Sequence, residues 1–347
     1  MSVISQNIKK AINHCLAHDI AFAAYRLPGD EVRFIAAKDI IGEKQYGGEF
    51  TITLWNSLFN EGVRISNTAT DNHIKFSFSD CFSPSTDENA YKQSLSDLIA
   101  SLKIRGGKTV ISRIISGECD IIDWAEAADR LFDLYQDSFC HIYYHPVTGA
   151  WLGATPEVLV CSEKHGRAIS TMALAGTKPI NAAWDEKNFK EQQMVTDFIS
   201  ERLLPLCDTI DVAQVADLNY GSLSHLCTQI HGYRKENISH SDLCDALSPT
   251  PAVAGLPKEI ALAEISKIER HQRLCYGGYV TVENDDKSSI ISYVNLRCVH
   301  FSRNRFNIYA GGGITAQSLP GQEWEETEAK AKVLKDIIYS FGNARTK

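Results

Sequence analysis

The sequence has 347 residues, of which 44% are hydrophobic and 22% are charged, a balance typical of a folded globular protein. Its net charge of −8 and its lack of Lys/Arg runs argue against a nucleic-acid or membrane surface. No apolar run is long enough for a signal peptide or a membrane span, so we expect a cytoplasmic protein. A small anionic ligand would need a bound cation, or converging Lys and Arg side chains, to offset the negative net charge.

The metal-binding residue types show no zinc pattern. The ten cysteines are dispersed and form no CxxC motif, which predicts reduced and mostly buried thiols. The eleven histidines show neither HxH nor HExxH spacing. A zinc site is therefore not expected.

Periodicity and turn residues predict an alternation of helices with runs of strands. Helices are predicted over 3–18, 87–104, 123–138, 186–204, 240–247, 258–270 and 322–341. Hairpins are predicted over 20–80, with turns at 28–30 and 47–48, and further strands over 108–115, 141–146, 150–162, 167–177, 209–216, 222–233, 276–284, 288–301 and 305–311. Strands follow one another without regular βαβ alternation, which favours an α+β fold with large antiparallel sheets. No linker-like boundary appears, so one domain over 1–347 is predicted.

The stretch from 310 to 332 carries three glycines, a short polar loop and an acidic helix start. Glu323, Glu326 and Lys330 fall on one helical face, which continues into the apolar Val333 and Ile337. Such acids beside a glycine-rich turn could hold a divalent cation and an anionic ligand. Equally, they could form a charged first helical turn with an ordinary Glu326–Lys330 pair.

A second acidic side chain leads an apolar helical face in the helix 186–204. Glu191 shares this face with Val195 and Phe198, and a buried carboxylate is costly unless it meets a cation. Three acids on two helices, with no His/Cys cluster nearby, favour Mg²⁺ over zinc. The local alternative is a carboxylate at the helix edge beside Lys187.

Other polar residues lie within strongly β-forming runs. Lys108 opens a strand after two glycines, Glu157 follows Pro156, and Arg297 lies inside SYVNLRCVHF. Each could point into a cleft or could be an ordinary strand-end or paired residue. Gly176-Thr177 ends a strand in a form suited to close backbone approach to a ligand.

The order of these segments is more specific than any one of them. The blocks are GGKTVISR (106–113), WLGATPEVLV (151–160), MALAGTKP (172–179), EQQMVTDFI (191–199), HLCTQIHG (225–232), LSPTPAVAGLPK (247–258), CYGGYVTV (275–282), SYVNLRC (292–298) and AGGGITAQSLPGQEWEETEAK (310–330). In this order they resemble the chorismate-utilising enzymes, and most closely the isochorismate synthases. The resemblance covers about residues 105–342, whereas the β-rich portion 1–100 carries no recognisable motif.

This resemblance implies an α+β fold with antiparallel sheets stacked at the core and helices outside. It also implies a Mg²⁺-dependent reaction in which water adds at C2 of chorismate and the C4 hydroxyl leaves. Lys108 matches the water-activating base and Glu157 the general acid. Glu191 and Glu326 match the metal carboxylates, and Glu323 lies in the same metal shell.

Further matched positions are implied to contact the substrate. They are Gly176, Thr177, His225, Ala252, Tyr276, Arg297, Gly311 and Lys330. To donate a proton, Glu157 needs a raised pKa, which its apolar PEVLV setting would provide. One departure is Gln192, which stands where the family has a histidine after the metal glutamate.

Two positions bear on the choice among sister activities. Ala175 stands where aminodeoxychorismate synthases carry a lysine, and Lys108 stands where anthranilate synthases usually carry glutamine. The pair points to water as the nucleophile, as in isochorismate synthases. Salicylate synthases, which add pyruvate elimination, share the pair and stay an alternative, with amine-forming enzymes and a non-catalytic homologue less favoured. A monomer is expected, with a weak homodimer as the alternative, and the product could serve menaquinone or siderophore synthesis.

Overall fold

Helices in the computed structural model agree closely with the sequence pattern. The structure describes residues 2–37, 49–53, 62–66, 70–72, 77–118, 122–220, 223–283, 289–342 and 345–346. The helices are α1 (Gln6–Ala17), α2 (Glu88–Arg105), α3 (Trp124–Leu134), α4 (Glu186–Leu203), α5 (His240–Leu247), α6 (Lys258–Ile268) and α7 (Pro320–Tyr339). Side chains of Asp or Ser cap the amino ends of α1 to α5, which explains why those helices begin where they do. Helix α3 ends before its predicted limit of 138, because Tyr135 leaves the helix and stacks on Tyr220 with ring centroids 4.4 Å apart.

Strands make up the centre of the molecule. They are β1 (Phe22–Arg26), β2 (Arg33–Ala36), β3 (Glu49–Thr53), β4 (Gly62–Ser66), β5 (Thr70–Asn72), β6 (Lys108–Glu118), β7 (Phe139–His145), β8 (Gly149–Thr155), β9 (Val158–Glu163), β10 (Ala168–Pro179), β11 (Cys207–Val212), β12 (Ala216–Tyr220), β13 (Leu223–Arg234), β14 (Gly255–Leu256), β15 (Tyr279–Glu283), β16 (Ser289–Val294), β17 (Cys298–Phe301), β18 (Arg305–Ile314) and β19 (Arg345–Thr346).

These strands form two antiparallel sheets. The first has the order β14-β6-β18-β17-β8-β7-β1-β2, with β19 also paired to β6. The second has the order β11-β13-β10-β9-β16-β15-β3-β4-β5, with β12 also paired to β13. Large antiparallel sheets accompanied by helices confirm the predicted α+β class.

The two sheets pack face to face over a shared aromatic core. Tyr143 of the first sheet meets Phe50 of the second, with ring centroids 5.4 Å apart, and Phe139 stacks on Tyr293 at 4.3 Å. Helices α1, α3 and α7 cover the outer face of the first sheet. Helices α4 and α5 cover the outer face of the second. Because Phe50 belongs to the β-rich portion 1–100, that portion completes the core between the sheets.

Two predicted single strands are each broken where the chain passes from one sheet to the other. The run 150–162 divides into β8 and β9 at 156–157, where proline removes a backbone donor. The run 288–301 divides into β16 and β17 at 295–297, where Arg297 has φ of +49°. A positive φ at a non-glycine residue is uncommon and costs roughly 1–2 kcal/mol. The two breaks place Glu157 and Arg297 at the seam between the sheets.

The glycines 311–313 form a strand rather than the predicted glycine-rich turn. Strand β18 continues through them to Ile314 and pairs with β6, with Gly313 opposite Val110. The prediction of a turn is therefore wrong, and the site geometry below gives the physical reason.

The described residues leave parts of the sequence prediction untested. The turn at 47–48 and parts of the hairpin region 20–80 lie outside the described residues. The single domain over 1–347 stays a prediction. Among the described helices, none combines the length and apolar character needed to cross a lipid bilayer.

Candidate active site

A cavity of about 320 Å³ opens at the seam between the sheets. Its walls come from β6, the breaks at 156–157 and 295–297, the end of β10, the start of α4, and β18 with α7. Every residue that the sequence predicts for catalysis, substrate or metal lines this cavity: Lys108, Glu157, Gly176, Thr177, Glu191, His225, Ala252, Tyr276, Arg297, Gly311, Glu323, Glu326 and Lys330. The structure thus brings together side chains separated by more than 200 positions in the sequence.

Lys108 is the first residue of β6 and is almost completely buried, with 1% of its surface exposed. Its Nζ lies 2.6 Å from Oε1 of Glu191, so the predicted base and a predicted metal ligand form an ion pair. Gly313 makes this approach possible. A Cβ at position 313 would lie 2.6 Å from Cε of Lys108 and 2.7 Å from Oε1 of Glu191. A larger residue at 313 would push these two side chains aside, which explains why β18 carries a glycine here without forming the predicted turn.

Glu157 lies at the break between β8 and β9 and is 4% exposed. Burial raises the pKa of its carboxyl to about 7, although a hydrogen bond from Thr250 and the charges of Lys108, Lys330 and Arg297 act in the opposite direction. Oγ1 of Thr250 donates to Oε1 of Glu157 over 3.3 Å. The pKa of Glu157 is raised, as predicted, so a protonated fraction is present at neutral pH.

The start of α7 forms an acidic wall of the cavity. Glu323 is buried, and its Oε1 lies 2.9 Å from Nζ of Lys187 on α4. Burial and the neighbouring Glu326 raise the pKa of Glu323. Glu326 lies 2.5 Å from Nζ of Lys330, and despite burial this ammonium holds the pKa of Glu326 below its usual value. Lys330 also donates to the carbonyl of Gly311 over 2.9 Å, so it joins α7 to β18.

These carboxylates fit a hard divalent cation. Oε2 of Glu323 is buried without a hydrogen-bond partner among the described residues, which is costly for a carboxylate oxygen. Gly312 leaves room beside it, since a Cβ there would lie 3.2 Å from this oxygen. Glu191, Glu323 and Glu326 are the residues that could hold the cation, because Mg²⁺ prefers oxygen ligands. Within the described ranges, no three His, Cys, Asp or Glu side chains form a preassembled metal cage.

The opposite wall contains a hydrogen-bonded chain from Gly176 to Arg297. Nδ1 of His225 lies 2.9 Å from the carbonyl of Gly176, which can only accept, so Nδ1 carries the proton. Nε2 therefore accepts from Arg297 over 3.3 Å. Burial, with Arg297 and Lys330 nearby, lowers the pKa of His225 to about 3. His225 is thus neutral and orients the Arg297 guanidinium, while Thr177 adds a contact to Nδ1 at 3.2 Å.

Tyr276 and Ala252 complete the wall nearest β18. Tyr276 is buried and stacks on Tyr309, with ring centroids 5.3 Å apart. A Cβ at position 311 would lie 2.6 Å from the Tyr276 hydroxyl, so Gly311 admits the phenol to the cavity. Ala252 lies in the loop between α5 and β14, next to Val253, whose carbonyl accepts from Arg273 over 2.8 Å.

The sequence pattern does not indicate several polar residues of the site. Thr250 donates to Glu157, and the cavity is also lined by Asp185, Lys187, Asn188, Gln317 and Gln322. The sequence places Lys187 beside Glu191, but its ion pair is with Glu323, 136 positions further along the chain. No local pattern signals such a contact, because it depends on how α4 and α7 pack.

Gln192 lies behind the cavity. Its Nε2 donates to the carbonyl of Ala173 over 2.9 Å and to Oγ1 of Thr228 over 3.0 Å. These bonds attach α4 to β10 and β13, which holds the adjacent Glu191 in place. Gln192, at the position where the family has a histidine, therefore binds to strands of the second sheet.

Comparison with known proteins identifies the family. A family model described as chorismate binding enzyme matches residues 50–339. The chain is 33% identical over 200 residues to the isochorismate synthase MenF of Haemophilus influenzae, covering 54% of this chain and 46% of that protein. It is 29% identical over 247 residues to the isochorismate synthase EntC of Escherichia coli, covering 67% and 62%. The chain spans about half the length of the MenF relatives that it matches.

Solved structures share the fold. The structure of the menaquinone-specific isochorismate synthase MenF of Escherichia coli matches with a TM-score of 0.74 and 19% identity, over 92% of this chain and 88% of that one. Anthranilate synthase component I of Streptococcus pneumoniae matches with a TM-score of 0.67 and 16% identity, over 90% and 89%. These two proteins carry different activities on one architecture, so the likeness concerns the fold.

Proposed function

Because this chain belongs to the chorismate-binding enzymes, we propose that it is a Mg²⁺-dependent isochorismate synthase that adds water at C2 of chorismate and expels the C4 hydroxyl. The observation that carries the proposal is the presence in one cavity of a buried lysine and a carboxyl whose pKa is about 7. Addition of water with loss of hydroxide needs one group that accepts a proton and another that donates one.

Lys108 is proposed as the base. The carboxylate of Glu191, 2.6 Å from Nζ, fixes the position of the amine and would stabilise the ammonium that forms when deprotonated Lys108 takes a proton from water. Burial excludes bulk water from Nζ, which limits its partners to groups inside the cavity. Ala175 also lines the cavity, so no lysine is available there for a covalent adduct.

Glu157 is proposed as the acid. Its pKa of about 7 leaves a substantial protonated fraction at neutral pH, and Thr250 orients one carboxyl oxygen. A protonated carboxyl can donate to the departing C4 hydroxyl, which is a poor leaving group as hydroxide. Lys108 thus accepts the proton that the attacking water loses, and Glu157 supplies the proton with which the C4 hydroxyl leaves as water.

The charges of the cavity support a dianionic substrate bound together with a dication. The lining cations are Lys187, Arg297 and Lys330, together with Lys108 until it loses its proton to act as the base. The lining acids other than Glu157 are Asp185, Glu191, Glu323 and Glu326. The cations therefore do not outnumber these acids, and the two negative charges of chorismate require positive charges from elsewhere. When bound, Mg²⁺ would supply them and would polarise and position a substrate carboxylate.

Product analysis tests this function. Purified protein is incubated with chorismate and Mg²⁺ in the absence of ammonia, and the products are separated by chromatography. Isochorismate alone supports the proposal, whereas salicylate with pyruvate would assign the chain to salicylate synthesis. No conversion would indicate a homologue that only binds chorismate or one that needs ammonia.

Replacement of Lys108 checks that the observed activity belongs to this cavity. Lys108→Gln should lower kcat by at least about 100-fold, because it removes the proposed general base. Lys190→Met is the matched control, since Lys190 also loses a charge but lies exposed on α4 and pairs with Glu186. Activity of Lys108→Gln close to that of the wild type would refute the role of Lys108.

A further inference from the structure

Lys187 occupies an unexpected position among the proposed metal ligands. It lies one helical turn before Glu191 on α4, where an i,i+4 ion pair would be usual. Glu191 instead contacts Lys108, and Lys187 reaches across to α7, where its Nζ lies 2.9 Å from Oε1 of Glu323. About a quarter of the Lys187 side chain is exposed, whereas the Glu323 side chain is 3% exposed.

The ammonium of Lys187 therefore interacts with the same acids that could hold a divalent cation. Glu323 is its direct partner, and the charges of Glu191 and Glu326 also act on it. This ion pair uses one oxygen of Glu323. The other oxygen is buried and without a hydrogen-bond partner among the described residues, so one oxygen of Glu323 stays open to a cation while the ammonium of Lys187 holds the other.

We propose that Lys187 is an internal counter-ion that takes the place of the divalent cation in the metal-free protein and competes with it. The inference rests on the proposed metal site. Without a cation, Lys187 holds the buried acids of α4 and α7 together, which limits their mutual repulsion. A divalent cation that binds these acids meets the positive charge of Lys187 and must displace it or bind against it.

Two consequences distinguish a competitor from an ordinary salt-bridge partner. Removing the positive charge of Lys187 should strengthen Mg²⁺ binding, since less repulsion opposes the cation. The same change should destabilise the metal-free protein, because Glu323 loses its partner in a buried setting. A substrate contact or a residue that only maintains the fold would not improve metal binding when lost.

Titration calorimetry with Mg²⁺ alone tests the proposal on the full chain. Lys187→Met should bind Mg²⁺ at least about 5-fold more tightly than the wild type, and Lys187→Arg, which keeps the charge, should stay within about 2-fold. Lys190→Met is the matched control, because it removes a lysine from the same helix at an exposed position and should also stay within about 2-fold.

Thermal unfolding provides the second measurement. Metal-free Lys187→Met should unfold at a lower temperature than the wild type, and saturating Mg²⁺ should raise its Tm more than that of the wild type. If Lys187→Met does not fold, Lys187→Gln removes the charge while retaining a donor for Glu323, and the same tighter binding is expected.

The outcomes separate this inference from the proposed function. If the wild type binds Mg²⁺ and the charge-removing variants bind it equally or more weakly, the inference is overturned and the metal site stands. If neither the wild type nor the variants bind Mg²⁺ at millimolar concentrations, both the metal site and the inference are wrong.

Discussion

At the residue scale, the chemistry of the site depends on the burial of Glu157. Proline at 156 interrupts the strand, so the next residue leaves the regular ladder and enters the cavity. Burial then raises the pKa of Glu157 to about 7. The raised pKa could be predicted from the apolar PEVLV segment. The crossing between the sheets could not, since the sequence pattern predicts one strand over 150–162.

The pH dependence of kcat/KM follows from this pKa. Because Glu157 must be protonated to act as an acid, kcat/KM should fall as pH rises through about 7, with a slope approaching one log unit per pH unit. Glu157→Gln should lower kcat/KM by at least about 100-fold and abolish this limb. Steady-state kinetics across pH 5.5–9 at saturating Mg²⁺ would check this prediction. If Glu157→Gln still loses kcat/KM as the pH rises through about 7, the titrating group is another residue.

Glu157→Gln should raise the unfolding free energy at high pH, although it lowers activity. The folded-state pKa of Glu157 lies above its unfolded value of about 4.5, so the wild type loses stability as pH rises from about 4.5 through about 7. Glutamine cannot ionise, so the variant does not lose stability in this way. Relative to the wild type, Glu157→Gln should therefore gain on the order of 3 kcal/mol in unfolding free energy between pH 4.5 and pH 8. Urea unfolding at both pH values would show no such gain if Glu157 were solvated.

At the scale of elements, strand β18 and helix α7 form one functional unit. Local rules predict a turn at three consecutive glycines. In the structure they belong to the strand, and glycine is needed because other side chains fill the space that a Cβ would occupy. These side chains are Tyr276 at position 311, Glu323 at 312, and Lys108 with Glu191 at 313. The helix and its acidic face could be predicted from periodicity, but the strand could not, because its glycines are required by tertiary contacts.

Gly313→Ala tests this explanation. The new Cβ would lie within 3 Å of both Lys108 and Glu191 and would separate their ion pair. We expect kcat to fall at least about 10-fold and stability to fall by about 1–3 kcal/mol. Gly321→Ala is the control, because nothing lies within 4 Å of a Cβ there, and alanine in the first turn of α7 should leave kcat unchanged. Normal turnover in Gly313→Ala would show that the close approach has no catalytic role.

At the scale of the whole molecule, the two sheets create the site at the seam where the chain crosses between them. Glu157 and Arg297 lie at these crossings. The thirteen site residues could be predicted because their motifs match those of a family. Periodicity alone was enough to predict the helices and strands. The contact between Lys187 and Glu323 could not be predicted, since it needs the relative placement of two helices. Among the described residues, every cavity-lining residue lies at or after Lys108, so the portion 1–100 supports the core.

Because the core and the cavity are formed by different parts of the chain, a core mutation should change the unfolding free energy without changing substrate binding. Phe50 is fully buried between the sheets and contacts Tyr143. Phe50→Ala should lower the unfolding free energy by about 3–5 kcal/mol, because it leaves a cavity, while KM for chorismate changes less than 2-fold in the folded fraction. Ile104→Ala, at an exposed position on α2, should leave both unchanged. A large change in KM with Phe50→Ala would show that the N-terminal portion shapes the site.

In the proposed reaction, Lys108 and Glu157 add a water molecule to chorismate and remove its C4 hydroxyl. This hydration can be followed by converting chorismate in ¹⁸O-labelled water with Mg²⁺ and without ammonia and analysing the product by mass spectrometry. Isochorismate that carries one ¹⁸O atom from solvent at C2 is expected. Unlabelled isochorismate would contradict the hydration mechanism, and salicylate with pyruvate, or no product, would contradict the proposed function.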